Sequence, residues 1–84
     1  MKPVIVYTTE PCRRCGRAKD LLEARGVDYE EVNLAKDPDG RAELARQTGL
    51  QTFPQIVIGD QALGGFDDLE AAHADGRLDE LLAA

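Results

Sequence analysis

The sequence has few of the residues that build metal sites. Its 84 residues include two cysteines and one histidine, and the histidine lies far along the chain from the cysteines. A tetrahedral zinc site uses about four ligands drawn from cysteine, histidine and carboxylate side chains. We therefore expect no metal.

Long apolar segments are also missing. No apolar run approaches the roughly 20 residues that a helix needs to span a bilayer. Segment 1–7 carries one basic residue and an apolar stretch too short for a signal peptide, so it is better interpreted as a buried strand. These features predict a cytoplasmic protein that does not bind membranes.

Positive charge is in the minority. Ten basic and sixteen acidic residues give a net charge of −6, which argues against nucleic acid and anionic membranes as partners. Half of the basic residues lie within segment 12–25: Arg13, Arg14, Arg17, Lys19 and Arg25. The last three are interpreted as solvated helix residues. The first two need another explanation, because they separate the two cysteines.

The length allows one domain, residues 1–84. The apolar periodicity predicts, in chain order, a strand at 2–7, a helix at 12–25, a strand at 28–33, a helix at 37–48, strands at 55–58 and 61–63, a helix capped by Asp67 or Asp68 that ends near 74, and a short helix after Gly76. The order β-α-β requires a parallel strand pair with a right-handed crossover, and the later hairpin adds an antiparallel pair. We expect an α/β fold with a mixed four-stranded sheet and helices on both faces.

The segment Cys12-Arg13-Arg14-Cys15 indicates redox chemistry. It follows the first predicted strand and opens the first helix, which is the context in which C-x-x-C predicts a redox pair. Backbone N–H groups and the dipole at a helix start favour a thiolate, and two arginines act in the same direction. We therefore expect Cys12 to be the nucleophile, with a lowered pKa, and the less exposed Cys15 to be the resolving thiol. A structural disulfide is the alternative, and the cytoplasm disfavours it.

Three further segments accompany this motif: Val6-Tyr7-Thr8, Thr52-Phe53-Pro54-Gln55-Ile56 and Gly64-Gly65-Phe66-Asp67-Asp68-Leu69. In this order and spacing, the chain resembles a short bacterial dithiol glutaredoxin over nearly its whole length. The resemblance implies a thioredoxin-like fold and a monomeric, glutathione-dependent thiol–disulfide oxidoreductase. It implies that glutathione is the co-substrate, and that disulfide-containing or glutathionylated proteins are the partners.

The resemblance also implies a binding site for glutathione, formed by Arg41, Thr52, Phe53, Pro54, Gly65, Phe66, Asp67 and Asp68. We add Arg13 and Arg14, which the family motif does not have, because their positive charges would attract glutathione. Family members hold the proline of this site in the cis form, which turns the backbone of the residue before it toward an extended peptide. From the residues alone, a trans proline at a strand start is the commoner case.

Two parts of this implied site have alternatives. The helix start after Gly64-Gly65 suits a carboxylate and an aspartate there suits an ammonium, but simple N-capping by Asp67 is an equally good interpretation. Arg41 matches a position where glutaredoxins often contact the glycine carboxylate of glutathione. An exposed helix arginine is its alternative.

The motif departs from the family between its cysteines. The usual Cys-Pro-Tyr-Cys has become Cys-Arg-Arg-Cys, and the lysine that commonly lies three residues before the first cysteine is Thr9 here. We expect the arginine pair to attract glutathione and to stabilise the Cys12 thiolate. The sequence does not indicate which of the two arginines dominates.

Two other functions remain open. Gly65-Phe66 resembles part of the motif of glutaredoxin-like electron donors that thioredoxin reductase reduces and that serve ribonucleotide reductase, although the following Asp67-Asp68 belongs to the glutathione-binding form. An iron–sulfur cluster carrier, in which two chains share a cluster through Cys12 and bound glutathione, is the other alternative. The second cysteine makes the chain less typical of that class.

Overall fold

The computed structural model describes residues 1–83 as an alternation of strands and helices. In chain order the elements are β1 (Val4–Thr8), α1 (Arg13–Ala24), β2 (Glu30–Asn33), α2 (Pro38–Thr48), β3 (Gln55–Ile58), β4 (Gln61–Gly64), α3 (Phe66–Ala74) and α4 (Arg77–Leu82). The predicted order is confirmed. Glycines end two of the helices as expected: Gly26 follows α1 and Gly49 caps α2, both with positive φ.

The four strands form one mixed sheet in the order β2-β1-β3-β4. Strands β1 and β2 are parallel, whereas β3 pairs antiparallel with both β1 and β4. Since β1 and β2 are parallel, the helix between them must cross over the sheet. The mixed four-stranded sheet, and with it the predicted fold class, is confirmed.

One main core joins the sheet to three of the helices. Its buried members are Val4, Val6, Ala18, Leu22, Val27, Ile56, Ile58, Phe66, Leu69, Ala72, Leu78 and Leu82. They come from β1, α1, β3, α3 and α4, with Val27 from the α1–β2 connection, so the short last helix belongs to the core. Burial alternates along β1, as expected for a strand whose two faces differ.

The strand directions bring distant segments to one edge of the sheet. Strand β1 ends at this edge and leads directly into α1. Strand β3 runs antiparallel to β1 and therefore begins here, after segment 52–54. Strand β4 runs antiparallel to β3 and ends here, so α3 begins at the same edge. The starts of α1, β3 and α3 are therefore neighbours, which positions the candidate site.

Lys19 in α1 and Arg25, which caps its end, were predicted to be solvated, and that prediction is only partly right, because both are half-buried and have partners on other elements. Lys19 lies 3.2 Å from the carboxylate of Glu31 on β2. Arg25 lies 2.8 Å from His73 Nδ1 and pairs with Asp79. These contacts fasten α1 to the sheet and to the two C-terminal helices.

Glu31 is held ionised by two neighbours. The buried Thr8 hydroxyl donates a hydrogen bond of 2.8 Å to its carboxylate, and Lys19 contacts the same group. The Thr8 hydrogen bond, followed by that from Lys19, lowers the pKa of Glu31 below its ordinary value of 4.5. A carboxyl whose pKa is lowered in the folded state stabilises the fold above the unfolded pKa, and this stabilisation disappears as the pH falls through the folded pKa.

Replacing Glu31 by Gln should therefore lower the free energy of unfolding at neutral pH by up to about 1 kcal/mol, because the group is partly exposed. The difference from the wild type should shrink as the pH falls through the folded pKa and Glu31 becomes protonated. Urea unfolding at neutral pH and at a series of lower pH values measures this. The Glu30→Gln variant on the same strand is the control, and an equal effect of both substitutions would contradict the prediction.

Candidate functional site

The two cysteines lie where β1 gives way to α1. Cys12 is the N-cap of α1, with extended backbone, and its Sγ accepts a hydrogen bond of 3.1 Å from the backbone N–H of Cys15. The two sulfurs form a disulfide, with Cα atoms 5.3 Å apart. Cys15 is 3% exposed, whereas Cys12 is only half-buried. An incoming thiol or disulfide therefore reaches Cys12 more easily than Cys15.

The surroundings of Cys12 favour a negative sulfur once the disulfide is reduced. A helix start carries backbone N–H groups without intrahelical acceptors, and one of them already points at Cys12. The thiolate is the form that attacks disulfides. The arrangement suits thiol–disulfide exchange, and the assignment of Cys12 as the nucleophile stays a prediction.

A cleft of about 380 Å³ lies beside the motif. It is lined by Arg14, Leu50, Thr52, Phe53, Pro54, Gly65, Phe66, Asp67 and Asp68. Apart from Arg13 and Arg41, every residue predicted for ligand binding lines this cleft. Leu50 is the addition, and nothing in its sequence context distinguished it from a core leucine.

The first wall of the cleft is segment 52–54. The Phe53–Pro54 bond is cis, as the resemblance implied, and Pro54 is buried. Gln55, which follows, is also buried at 2% exposure. Its side chain accepts a hydrogen bond from the Thr48 hydroxyl and donates one to the Leu50 carbonyl, which ties the loop before β3 to the end of α2. Gln55 was not among the predicted site residues. Its position at the start of an otherwise apolar strand was the available signal.

The second wall is the start of α3, and its cap differs from the prediction. Gly65, not Asp67 or Asp68, is the N-cap. Asp68 instead accepts a hydrogen bond of 2.9 Å from the Gly65 N–H, which is the reciprocal half of a capping arrangement. The helix begins earlier than expected because Gly64, at φ +129°, makes a turn that other residues rarely adopt. Asp67 therefore takes no part in the cap.

Asp67 pairs with the redox motif instead. Its Oδ1 lies 3.0 Å from Nη1 of Arg14, although the two residues are far apart in the sequence. One turn further along α1, the Arg17 guanidinium lies 4.6 Å from the centre of the Phe66 ring. Arg17 is exposed, as predicted, and its contact with Phe66 was not anticipated. Two arginines of α1 thus contact two successive residues at the start of α3.

Arg41 and Arg13 lie outside this cleft. Arg41 lines a neighbouring cleft of about 430 Å³ that shares Leu50 and Phe53 with the first. It is half-buried, and its guanidinium donates to the carbonyls of Leu34 and Ala35. Arg13 is exposed and makes no ion pair within residues 1–83. The binding roles of both stay predictions.

Residues 1–83 contain neither a cluster of metal ligands nor a helix that could span a membrane. Within residues 1–83, no group of three or more histidine, cysteine or acidic side chains is arranged to hold a metal ion. No helix in this range is long and apolar enough to cross a bilayer.

Comparison with known proteins gives a consistent result. The sequence model of the family described as Glutaredoxin matches residues 4–63. The glutaredoxin of Pseudomonas aeruginosa is 51% identical over 84 residues, covering the whole of both chains. Glutaredoxin 3 of Escherichia coli K12 is 44% identical over 82 residues, covering 98% of this chain and 99% of that protein.

Solved structures agree with the sequence relatives. The solution structure of glutaredoxin from Brucella melitensis superposes with a TM-score of 0.86 at 45% identity, over 98% of this chain and 89% of that one. The crystal structure of a buckwheat glutaredoxin–glutathione complex superposes with a TM-score of 0.87 at 33% identity, over 96% of this chain and 76% of that one.

Proposed function

Because this chain belongs to the glutaredoxin family, we propose that it is a glutathione-dependent oxidoreductase that reduces glutathione mixed disulfides and protein disulfides. One observation carries this proposal. The more accessible sulfur of the Cys12–Cys15 disulfide lies at a helix start, on the sheet edge where the cleft between Pro54 and the start of α3 also lies.

Reduction of a glutathione mixed disulfide needs only Cys12. Its thiolate attacks the glutathione sulfur, a Cys12–glutathione disulfide forms, and the substrate leaves as a thiolate that takes up a proton. A second glutathione thiolate then attacks the bound glutathione sulfur. Oxidised glutathione leaves and the Cys12 thiolate is regenerated. In balance, one reduced glutathione joins the glutathionyl group of the substrate to form oxidised glutathione, and the substrate cysteine becomes a thiol.

Reduction of a protein disulfide uses both cysteines. Cys12 attacks one substrate sulfur and forms a mixed disulfide, releasing the other sulfur as a thiolate. The Cys15 thiolate then attacks Cys12, one turn away, and the substrate leaves fully reduced. The Cys12–Cys15 disulfide that remains is the state in the structure, and two glutathione molecules return it to the dithiol.

The cleft supplies groups for an extended tripeptide. The backbone N–H and C=O of Phe53 would pair with the glutathione backbone like an added strand. The N–H groups at the start of α3 suit the carboxylate of its γ-glutamyl end, and Asp67 suits the ammonium. Arg41 in the neighbouring cleft would contact the glycine carboxylate. The proximity of these groups supports the assignment, which the resemblance suggested, and the existence of a glutathione complex of the buckwheat relative supports the choice of ligand.

Partners and location follow from the same proposal. The substrates would be proteins that carry a disulfide or a glutathionylated cysteine, and the protein would act as a monomer in the cytoplasm. The cytoplasm suits this function because it is a reducing compartment that contains glutathione, the proposed reductant.

Trapping the intermediate tests the proposal. The Cys15→Ser variant, reduced and mixed with oxidised glutathione, should gain one glutathionyl group on Cys12, detectable by mass spectrometry, because no second thiol can displace it. The matched Cys12→Ser variant should react much more slowly, since Cys15 is buried. Faster modification of Cys15 than of Cys12 would contradict the assignment.

A further inference from the structure

The ion pair between Arg14 and Asp67 lies where a ligand can reach it. Both side chains line the cleft beside the disulfide. They are 3.0 Å apart, with 55% of the Arg14 side chain and 76% of the Asp67 side chain exposed. Exposed pairs of this kind are weakly held. A ligand that offers better partners can therefore separate them.

The shape of the cleft does not depend on this pair. Phe66 is 4% exposed and belongs to the main core. The Gly65–Asp68 hydrogen bond caps α3 without help from Arg14, and Arg17 holds the ring of Phe66 from the side of α1. Arg14 can therefore leave Asp67 while the wall of the cleft stays in place.

The ligand of the proposed function ends in a free α-amino acid, in which an ammonium and a carboxylate share one carbon atom. Resting on that function, we propose that Arg14 is a specificity-determining residue. Arg14 releases Asp67 when the ligand binds and forms an ion pair with the α-carboxylate of the ligand, while Asp67 forms an ion pair with its ammonium. One ion pair is lost and two are formed.

This exchange selects for a ligand that carries both charges. A ligand with the ammonium alone replaces one ion pair by another and leaves the Arg14 guanidinium without a partner. An exposed ion pair is worth up to about fivefold in a rate or binding constant. The protein should therefore prefer the complete α-amino acid end over one that lacks the carboxylate, and Arg14 should supply part of that preference, beside the N–H groups at the start of α3.

The chain provides a matched control in Arg13. It is adjacent, carries the same charge and is exposed, but it does not line the cleft and makes no ion pair within residues 1–83. General electrostatic effects on the Cys12 thiolate or on the approach of ligand should be similar for the two arginines. Only the proposed exchange distinguishes them.

The experiment compares two mixed disulfides of one reporter peptide. One carries glutathione, and the other carries 4-aminobutanoyl-cysteinyl-glycine, which lacks only the α-carboxylate. The reduced protein is mixed with each disulfide, and the second-order rate constant for release of the reporter peptide from that disulfide is measured. The ratio of the two constants removes any effect common to both ligands.

The ratio in favour of glutathione should fall about threefold to fivefold in Arg14→Gln and clearly less in Arg13→Gln, where only the general attraction for the extra negative charge of glutathione is lost. An unchanged ratio in Arg14→Gln would show that the pair with Asp67 is only a surface contact. A rise would show that Arg14 competes with the ligand ammonium, and an equal fall in both variants would assign the effect to general charge. Each of these three results overturns the role of Arg14.

The same data separate this role from the proposed function. If the wild type releases the reporter from neither ligand, the proposed function fails and the role of Arg14 fails with it. If the wild type releases the reporter from glutathione and Arg14→Gln keeps the wild-type ratio, only the role of Arg14 fails.

Discussion

Replacement of Cys12 by Ser should reduce the turnover of glutathionylated substrates by about a thousandfold or more. A serine hydroxyl is not ionised at neutral pH and cannot form the mixed disulfide on which both proposed reactions depend. Cys15→Ser, in contrast, should retain the reduction of glutathione mixed disulfides, because that sequence of steps never uses Cys15. It should lose most of its activity on protein disulfides, where Cys15 releases the substrate.

Two coupled assays measure this difference, one with a glutathionylated peptide and one with a protein disulfide. Circular dichroism of each variant checks that the fold is intact. Equal loss of both activities in Cys15→Ser would contradict the separation of roles, and so would substantial mixed-disulfide activity in Cys12→Ser.

Replacement of Gly64 by Ala should destabilise the protein by about 2–3 kcal/mol. Gly64 has φ +129°, and an added Cβ would lie 2.3 Å from a carboxylate oxygen of Asp68. That oxygen accepts the hydrogen bond from Gly65 which starts α3. The substitution should therefore also disturb the wall of the cleft and raise the KM for glutathionylated substrates.

Gly16→Ala is the matched control for this substitution. Gly16 lies inside α1, and an added Cβ there would have no heavy atom within 4 Å apart from its chain neighbours and the backbone of its own helix. Alanine in a helix interior is more favourable than glycine by about 0.5–1 kcal/mol. Gly16→Ala should therefore keep or raise the melting temperature, whereas Gly64→Ala should lower it. Equal stability of the two variants would contradict the account of the turn before α3.

The order of the elements could be predicted because it depends on local patterns. Apolar periodicity marked each strand and helix, and Asp37-Pro38 marked the start of α2, where Asp37 indeed caps the helix. Gly49 marked its end. The placement of Cys12 at the start of α1 followed from the strand that precedes it. None of these inferences required knowledge of which distant segments meet.

The partners of the charged side chains could not be predicted in this way. Five basic residues cluster in and just after α1, and acidic residues dominate after residue 60. The fold brings these two segments together through Arg14–Asp67 and Arg25–Asp79. The uneven charge along the sequence thus matches ion pairs between α1 and the C-terminal helices, whereas the sequence alone suggested a solvated surface for Arg25 and a ligand-binding role for Arg14.

The predicted N-cap of α3 was wrong for a related reason. Asp67 and Asp68 are typical capping residues, and glycine is a weaker choice at that position. The turn at Gly64 starts the helix at Phe66, so Asp67 lies two residues past the cap, Gly65. The cis form of Pro54 came only from the resemblance to glutaredoxins, since the residues themselves favoured trans. The cis bond between Glu10 and Pro11 had no signal in the sequence.

The source of electrons tests the central claim most directly. The protein is given a glutathionylated peptide and NADPH, with either glutathione and glutathione reductase or thioredoxin reductase alone. Cys12→Ser measures the uncatalysed exchange, and a thioredoxin confirms that the second system is active. The proposed function predicts rapid NADPH oxidation with the glutathione system and none above background with thioredoxin reductase. Rapid oxidation with thioredoxin reductase, and background rates with glutathione, would contradict it.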